Sequence, residues 1–316
     1  MMNLRTIIKT SPSQKPIALK DTLCLIGSCF SQSIGEKLEN AGLKTDINPF
    51  GITYNPISIS ETIRKTVKNT LIRENDLVYS EPFWHVYSHH GSFRSEDRGE
   101  LLNQANNRLR EGNENIINSS KLILTLGSAW VYEHIQNKWI MGNCHRLPSN
   151  VFNKRLLGLE EIIDSLASSI QVFLENTRAD SPSVIITVSP VRHWRDGYRE
   201  NQVSKSLLHV AIDRLMQDFS CIEYFPSYEI LFDELRDYRF YERDMLHPSP
   251  LAIDYIWKRF KETYFASNHL DYIERHEALT RMKSHRLINP ESQESKRFIE
   301  KIKALEEELK ASQLNA

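Results

Sequence analysis

The sequence predicts an α/β protein with three layers, built on a mainly parallel, doubly wound sheet and followed by a C-terminal helical extension. Short apolar runs alternate with amphipathic segments of helical spacing, which is the pattern of βαβ units. The runs are mainly apolar and do not alternate with polar residues at every second position, as expected of strands buried on both faces. With 316 residues the chain can bury one sizeable core. We therefore expect an α/β domain over residues 20–265 and a helical extension over residues 266–316.

Four apolar runs are predicted to be the strands of the sheet: Leu23–Ile26, Lys121–Leu126, Val184–Val188 and Ile222–Phe225. Glycine follows each of the first two runs, and proline lies one or two residues beyond each of the others. The carboxyl ends of parallel strands lie at one edge of a sheet, and ligands bind there in such folds. The turns after these four runs are therefore where we look for a site.

Amphipathic segments between and after these runs predict the helices. Residues 31–41 form the first, and Gly42 stands at the position of a helix C-cap. Residues 157–175, 202–218 and 251–264 are the others, with apolar stripes at Ile162, Leu166, Ile170 and Phe173, and at Leu207, Val210, Ala211 and Leu215. The pattern between residues 48 and 118 is less regular, and we interpret it as a long insertion over the rim of the sheet.

The tail carries its own helix signal. Asn289, Pro290 and Glu291 have the order of an N-cap, a first-turn proline and a first-turn acid. Four apolar residues then recur with spacings of four, three and four: Phe298, Ile302, Leu305 and Leu309. We expect one helix from residue 289 to about residue 314. It either packs on its own domain or forms a homo-oligomer through this stripe, and two heptads do not decide between these.

Composition excludes several function classes. Lys and Arg total 40 against 41 Asp and Glu, so no global charge favours nucleic acid or an acidic membrane. No run approaches the roughly 18 apolar residues of a membrane span. Residues 1–16 are polar and basic without the apolar core of a secretory signal, and four widely spaced cysteines do not form a disulfide framework. We expect a cytoplasmic protein.

The turn after the first strand is the first candidate for chemistry. Gly27 turns the chain, and Ser28 and Cys29 stand where a helix begins. Helix N–H groups and the helix dipole stabilise an anion there, which favours a thiolate or a developing oxyanion. The alternative interpretation is structural: Ser28 is the N-cap, and Cys29 is a small packing residue.

The segment Asp244-Met245-Leu246-His247 is the second candidate. It follows the last predicted strand and precedes the closing helix, which places it at the same edge as Cys29. A catalytic histidine needs a neighbouring group that fixes its tautomer and stabilises its imidazolium, and a carboxylate does both. The alternative is a surface turn in which both side chains are solvated.

Other candidates carry weaker signals. A metal site could be imagined from His85, His89, His90, Cys144 and His145, but their spacing resembles no structural zinc site, so we prefer aromatic packing and expect no metal. Arg192 and His193 follow the third strand and could bind an anionic substrate group, or they are simply solvated. No glycine-rich phosphate loop is present, so we expect no nucleotide cofactor.

A nucleophile after the first strand and Asp-x-x-His after the last is the order found in SGNH hydrolases, also called GDSL esterases. The run Ile26–Phe30 resembles the signature for which the GSCFA family is named, with Ser31 in place of its alanine. The resemblance spans residues 23–260. It includes the segments Asn48–Pro56, Leu124–Tyr132, Asn143–His145, Ser189–His193 and Tyr224–Glu229.

This resemblance implies an SGNH-hydrolase-like or flavodoxin-like fold and assigns roles to particular residues. Aligned on Gly27, the nucleophile position is Cys29, with Ser28 the rival if the turn is shifted by one. Asp244 and His247 match the acid and the histidine without gaps. The oxyanion glycines match Gly51 and Gly127. The asparagine of the third block is replaced by Ala129, so Asn55 or Asn143 is expected to supply the missing donor.

The resemblance therefore implies a bacterial esterase or acyltransferase that works through a covalent acyl-enzyme. Its expected substrate is a small-molecule or carbohydrate ester, because related SGNH-like families act on carbohydrate esters. The alternative is a catalytically inactive SGNH-like fold that acts as a binding or scaffold protein. The departure at the third-block asparagine favours that alternative.

Overall fold

The computed structural model describes residues 6–286, 289–290 and 292–314. Its strands are β1 (Thr22–Gly27), β2 (Lys44–Ile47), β3 (Leu77–Ser80), β4 (Phe83–Val86), β5 (Arg94–Ser95), β6 (Lys121–Leu126), β7 (Trp130–His134), β8 (Phe152–Leu156), β9 (Ser183–Val188) and β10 (Ile222–Tyr224). Its helices are α1 (Cys29–Asn40), α2 (Pro56–Val67), α3 (Arg98–Ile117), α4 (Leu159–Asn176), α5 (Tyr198–Asp218), α6 (Ser227–Glu229), α7 (Pro250–Tyr264), α8 (Ser267–Ser284) and α9 (Gln293–Leu314).

Five parallel strands form the central sheet in the order β10-β9-β6-β1-β2. The four predicted strands are neighbours in it, so that prediction is confirmed. Strand β2 was not predicted, because its sequence Lys-Thr-Asp-Ile lacks a continuous apolar run. Numbered along the chain, these five strands have the flavodoxin-like order 2-1-3-4-5. In this fold ligands bind at the carboxyl ends of the strands, at the switch point between β1 and β6.

Helices cover both faces of the sheet, which confirms the three-layer prediction. Side chains of β1 alternate between the faces: Leu25 joins the core under α1, α7 and α8, whereas Cys24 and Ile26 join the core under α2, α4 and α5. Both cores are closed by aliphatic and aromatic side chains with almost no exposed surface. Burial raises the pKa of the Cys24 thiol well above its ordinary value, which disfavours its thiolate.

The interpretation of residues 48–118 as an irregular insertion is wrong for much of its length. The segment contains α2, the small antiparallel sheet β3-β4-β5, and α3. Helix α2 was overlooked because buried serines and threonines, Ser58, Ser60, Thr62 and Thr66, interrupt its apolar stripe. The Thr62 hydroxyl bonds back to the Ser58 carbonyl at 2.9 Å, whereas the Thr66 hydroxyl is buried with no partner among the described residues.

The predicted stripe of the helix after β9 is also partly wrong. Val210 has 48% of its surface exposed, whereas Leu208 and Ile212 are buried. The inward face of α5 is thus rotated by about one residue from the one we predicted, and it brings Ser204 and Lys205 into the interior. The stripe predicted for α4 is confirmed, since all four of its residues are buried.

The C-terminal helix begins later than predicted. Helix α9 starts at Gln293, and the Ser292 hydroxyl accepts the Ser295 N–H at 3.1 Å as its cap. Asn289 and Pro290 therefore precede the helix, and Glu291 lies outside the described residues. The cap prediction was wrong because serine two residues beyond the proline offers the same capping oxygen.

The apolar stripe of α9 lies against the same chain. Leu309 is buried in the core that α1, α7 and α8 share, and Ile302 and Leu305 pack beside it. Ion pairs with α8 flank the stripe, including Lys283 to Glu306 at 3.0 Å. Packing within the chain thus accounts for the stripe, and a homo-oligomer through α9 stays a prediction. No helix in the described ranges has the length and apolar character that a bilayer crossing requires.

Deleting residues 289–316 should leave the sheet domain folded and lower its free energy of unfolding by roughly 2–5 kcal/mol. This is the range for truncating a buried leucine, and Leu309 is the one apolar side chain of the described part of α9 that is fully buried. Urea denaturation followed by circular dichroism measures the change. An insoluble or unfolded product would show instead that α9 is an integral part of the domain.

Candidate active site

The turn between β1 and α1 is held tightly from both sides. A Cβ atom at Gly27 would lie 2.5 Å from the Thr125 carbonyl oxygen, so only glycine fits where β1 meets β6. The Gly27 N–H donates to Asn48 Oδ1 at 2.8 Å, and its carbonyl accepts the Thr53 N–H at 3.1 Å. The residues that follow Gly27 are consequently presented in one fixed orientation at the carboxyl edge of the sheet.

Ser28 caps helix α1, as the structural interpretation predicted. Its hydroxyl oxygen accepts the Phe30 N–H at 3.3 Å, and its backbone is extended, as an N-cap requires. The same hydroxyl donates to Ser189 Oγ at 3.0 Å, and the residue is almost completely buried. Both hydrogen-bonding functions of Ser28 are thus engaged within the protein.

Cys29 is the first residue of α1 and is only partly buried. Burial is the largest influence on its thiol and raises the pKa above the ordinary value. The N–H groups of Phe30 and Cys29 and the charge of Lys205 oppose this rise, and Asp244 adds to it. The expectation that this position would favour the thiolate is therefore wrong for the free protein, and Cys29 needs a base to become a nucleophile.

Asp244 and His247 form the predicted pair. Asp244 Oδ2 lies 2.6 Å from His247 Nδ1, while Oδ1 accepts the N–H groups of Leu246 and His247 at 2.9 and 3.0 Å. These bonds, led by the His247 backbone N–H, lower the pKa of Asp244 to about 2. Because the carboxylate is ionised, Nδ1 must carry the hydrogen, and Nε2 is left to exchange a proton with another group.

The pair and the thiol lie in one region without touching. Cys29 and His247, both in the described part of the chain, share no direct hydrogen bond, and a contact through one water stays a prediction. Asp244 nevertheless lies within electrostatic reach of the Cys29 thiol, and His247 within reach of His193. The side chains of Asp244 and His247 are 45% and 46% exposed, so the loop that carries them is open to solvent.

The two predicted oxyanion glycines use their N–H groups elsewhere. Gly51 donates to the Asn48 carbonyl and Gly127 to the Tyr54 carbonyl, each at 2.7 Å. By contrast, no carbonyl and no other side chain among the described residues accepts the N–H of Cys29, which lies against its own thiol. In this conformation the start of α1 therefore offers the available donor for an oxyanion.

The two predicted asparagines also serve local structure. Asn55 is the N-cap of α2: its Oδ1 accepts the Ser58 N–H at 2.8 Å, and its Nδ2 donates to the Ser58 hydroxyl. Asn143 Oδ1 accepts the His145 N–H at 2.9 Å. Their roles as oxyanion donors stay predictions, which would require these local bonds to be shared or broken.

Arg192 and His193 follow β9 at the same edge of the sheet. The Arg192 guanidinium lies 4.0 Å from the Phe232 ring centroid and, within the described ranges, pairs with no carboxylate. The His193 ring packs against Tyr54, and its Nε2 is buried without a partner. Burial, followed by the charges of Lys205 and His247, lowers the pKa of His193 to about 3, so its ring is neutral.

Lys205 and Ser189 belong to this region, although the sequence did not single them out. Lys205 is buried in α5, and its ammonium donates to the Ser189 carbonyl at 2.7 Å. Burial lowers the pKa of Lys205 to about 7. The available signal was spacing: Leu208 and Ile212 lie three and seven residues beyond it on one helical stripe. Ser189 could have been found as the residue that ends β9 at the predicted ligand edge.

The histidines considered as metal ligands, which lie in β4 and in the loops before β8, pack mainly against other aromatic rings. His85 stacks on His145 with centroids 4.6 Å apart, and His89 stacks on Phe50 at 3.9 Å. In the described ranges no group of three His, Cys, Asp or Glu side chains could hold a metal ion. His90 borders Gly51. Burial raises the pKa of Cys144, which precedes His145 in the sequence, to about 11.

The Asp244 carboxyl should titrate near pH 2 in a ¹³C NMR experiment, and in His247→Ala its pKa should rise but stay below about 3.9, the ordinary value. The reason is that backbone N–H bonds survive the substitution. Because the folded-state pKa is depressed, the stability that Asp244 contributes is present above about pH 4 and is lost as pH falls toward 2. An ordinary pKa in the wild type would contradict this geometry.

Comparison with known proteins locates the chain among protein families. A family model described as the GSCFA family matches residues 22–260, which run from the start of β1 to near the end of α7. The match therefore includes Cys29, Ser189, Lys205, Asp244 and His247. No protein of curated function matches the sequence.

Proposed function

We propose that this chain, which belongs to the GSCFA family, is an SGNH-like esterase or acyltransferase that works through a covalent acyl-enzyme on Cys29. The Asp244–His247 pair carries the proposal: an imidazole fixed by a carboxylate at 2.6 Å lies in the same region as a thiol at a helix N-terminus. A nucleophile, a base and a group that orients the base are what acyl transfer requires.

In the proposed reaction, substrate binding brings the exposed His247 ring to the Cys29 thiol. His247 Nε2 takes the thiol proton, and the sulfur attacks the acyl carbonyl carbon. The Cys29 N–H and the helix N-terminus stabilise the tetrahedral oxyanion. Its collapse breaks the ester bond, and the leaving alkoxide receives the proton from His247.

Release of the acyl group repeats these steps with another oxygen nucleophile. Water or an acceptor hydroxyl gives its proton to His247 and attacks the thioester carbonyl. The tetrahedral intermediate expels the sulfur, which recovers the proton, so the cycle ends with a free thiol. Water as the nucleophile makes the protein a hydrolase, and a sugar hydroxyl makes it an acyltransferase.

The substrate class rests on the site's neighbours and on analogy. Arg192, which pairs with no carboxylate among the described residues, would bind a polar or anionic part of the substrate. Carbohydrate esters are proposed by analogy with SGNH-like families, and fold-level analogy alone carries that part. A catalytic thiol also requires reducing surroundings, so a bacterial cytoplasm is part of the proposal.

A non-catalytic binding or scaffold role is the second candidate, and specific observations favour it. The Cys29 pKa is raised, and the N–H groups of Gly51 and Gly127 are used in the backbone. Alkylation by iodoacetamide, followed by peptide mass spectrometry, distinguishes the two. A catalytic Cys29 should react faster near neutral pH than Cys144 and Cys221, whereas comparable rates would favour the binding role.

Trapping the acyl-enzyme tests the proposal directly. The protein would be mixed with activated esters and thioesters and with acetylated sugars, and its intact mass measured after rapid acid quenching. We expect a mass increase of one acyl group that peptide mapping assigns to Cys29. Cys144→Ala and Cys221→Ala are matched controls, since both remove a partly buried thiol elsewhere. An adduct on Ser28 would replace the nucleophile, and no adduct with any ester would overturn the proposal.

A further inference from the structure

Lys205 is a buried lysine that pairs with no carboxylate among the described residues. Its residue is 1% exposed, and Nζ donates to one acceptor, the Ser189 carbonyl, at 2.7 Å. An ammonium has three hydrogens to donate. In the described ranges no carboxylate forms an ion pair with it, whereas buried lysines are normally paired. The packing of α5 does not explain why an ammonium group stands where burial disfavours its charge.

Ser189 links this ammonium to the nucleophile turn. Its carbonyl holds Lys205, and its hydroxyl accepts the hydrogen of the Ser28 hydroxyl at 3.0 Å. Cys29 follows Ser28 directly, so the thiol and the ammonium belong to elements that meet at one serine. The two groups lie within electrostatic reach, and each favours the charged form of the other.

Apart from the N–H groups at the start of α1, the other groups around Lys205 and Cys29 disfavour the charged forms of these two side chains or are uncharged. On the lysine side, the charge of Arg192 disfavours the ammonium, and the neutral ring of Tyr228 lies 5.8 Å away. On the thiol side, burial and the charge of Asp244 disfavour the thiolate, whereas two N–H groups of α1 favour it. His193 is buried nearby with a neutral ring. Lys205 is thus the cationic side chain that acts to favour a Cys29 thiolate.

We propose that Lys205 is an electrostatic positioning residue for Cys29, whose ammonium, held by the Ser189 carbonyl, stabilises the thiolate in the partly buried turn. The inference rests on the proposed function, because it assigns this thiolate as the nucleophile. When His247 takes the thiol proton, the sulfur gains a negative charge and the ammonium compensates it. The Ser28 hydroxyl also bonds to Ser189, but it stays a neutral hydrogen-bond donor.

The test is the pH dependence of Cys29 alkylation by iodoacetamide, measured for the Cys29 peptide alone. In Lys205→Met, alkylation of Cys29 below about pH 7, where the wild-type Lys205 is an ammonium, should slow about tenfold. The two rates should converge above about pH 8, where Lys205 has lost its charge in the wild type. An unchanged profile in Lys205→Met would overturn the proposal.

Lys121→Met is the matched control. Lys121 is also buried, and its ammonium donates to the Lys15 carbonyl and the Ser183 hydroxyl. It lies at the first residue of β6, at the end of the sheet opposite to Cys29. Removing it should leave the Cys29 profile unchanged, and the same shift in both variants would show a general effect of losing a buried lysine and would refute the specific role.

A second measurement covers the case in which Lys205→Met does not fold. Electrostatic coupling is reciprocal, so a fixed negative charge in place of the thiolate must change the lysine as well. In protein carrying ¹³C at the lysine ε-carbon, the Lys205 titration should move to higher pH in Cys29→Asp, whose carboxylate replaces the thiolate charge. An unmoved titration would contradict the coupling.

Failure of this inference and failure of the proposed function are distinguishable. Acylation of Cys29 by an ester together with an unchanged alkylation profile in Lys205→Met would remove the role of Lys205 and leave the function standing. Slower alkylation in Lys205→Met, with no ester that acylates Cys29, would support the electrostatic pair and remove the enzymatic function.

Discussion

Replacing Cys29 or His247 with alanine should abolish ester turnover, because losing the nucleophile or its base lowers the rate on the order of 10⁶-fold. Ser28→Ala should keep much of the activity, because its hydroxyl caps α1 and bonds to Ser189. The measurement is kcat/KM for whichever ester acylates the protein.

The Ser28 variant has a structural cost that needs its own control. Loss of the N-cap should lower the free energy of unfolding by about 1 kcal/mol. Ser249→Ala removes the N-cap of α7 and provides the comparison for a cap outside the nucleophile turn. Activity lost in Ser28→Ala and kept in Cys29→Ala would make the protein a serine enzyme, and full activity in all three variants would remove catalysis from this site.

Glu234→Ala should be among the most destabilising single changes, lowering the free energy of unfolding by about 3–5 kcal/mol. The Glu234 side chain is completely buried and accepts from the Arg259 guanidinium at 2.9 Å and from the Ile8 N–H at 3.0 Å. Its loss leaves a mostly buried guanidinium paired with the half-exposed carboxylate of Glu262 at 3.3 Å instead of a buried one. Urea denaturation of wild type and variant measures the difference.

A double variant shows whether the buried charge causes the loss. In Glu234→Met with Arg259→Met, apolar side chains of similar length replace both charges, and much of the stability should return. Lys37→Met, at the exposed ion pair with Asp254, should change stability by less than about 1 kcal/mol. A double variant as unstable as Glu234→Ala would mean that packing, not the charge, is decisive there.

Strands were predictable where burial on both faces forces a continuous apolar run. Lys121–Leu126 is such a case, and its predicted bounds are those of β6. Strand β2 lies at the edge of the sheet and mixes Lys44 and Asp46 with apolar residues, so no run marks it. Helix α2 was not predicted for a similar reason, because serines and threonines make up about half of its inward face.

The candidate site was predictable where its residues are close in sequence. Asp244 and His247 are three residues apart in one loop, so local geometry suffices to join them. Lys205 enters the site only because α5 turns it inward, and a lysine in mid-helix normally predicts an exposed position. The raised pKa of Cys29 was missed because burial outweighs the helix terminus, and burial is a property of the whole fold.

The flavodoxin-like fold draws its site residues from distant parts of the chain, and this also determines when the site can form during synthesis. Cys29 follows the first strand, but its electrostatic partner is on α5, and the proposed base precedes α7. At about 5–20 residues per second, His247 would leave the ribosome's catalytic centre roughly 10–40 seconds after Cys29. During that interval the nascent thiol lacks the base that would ionise it. On the proposed function, acyl chemistry at Cys29 could therefore begin only when the chain is almost fully made.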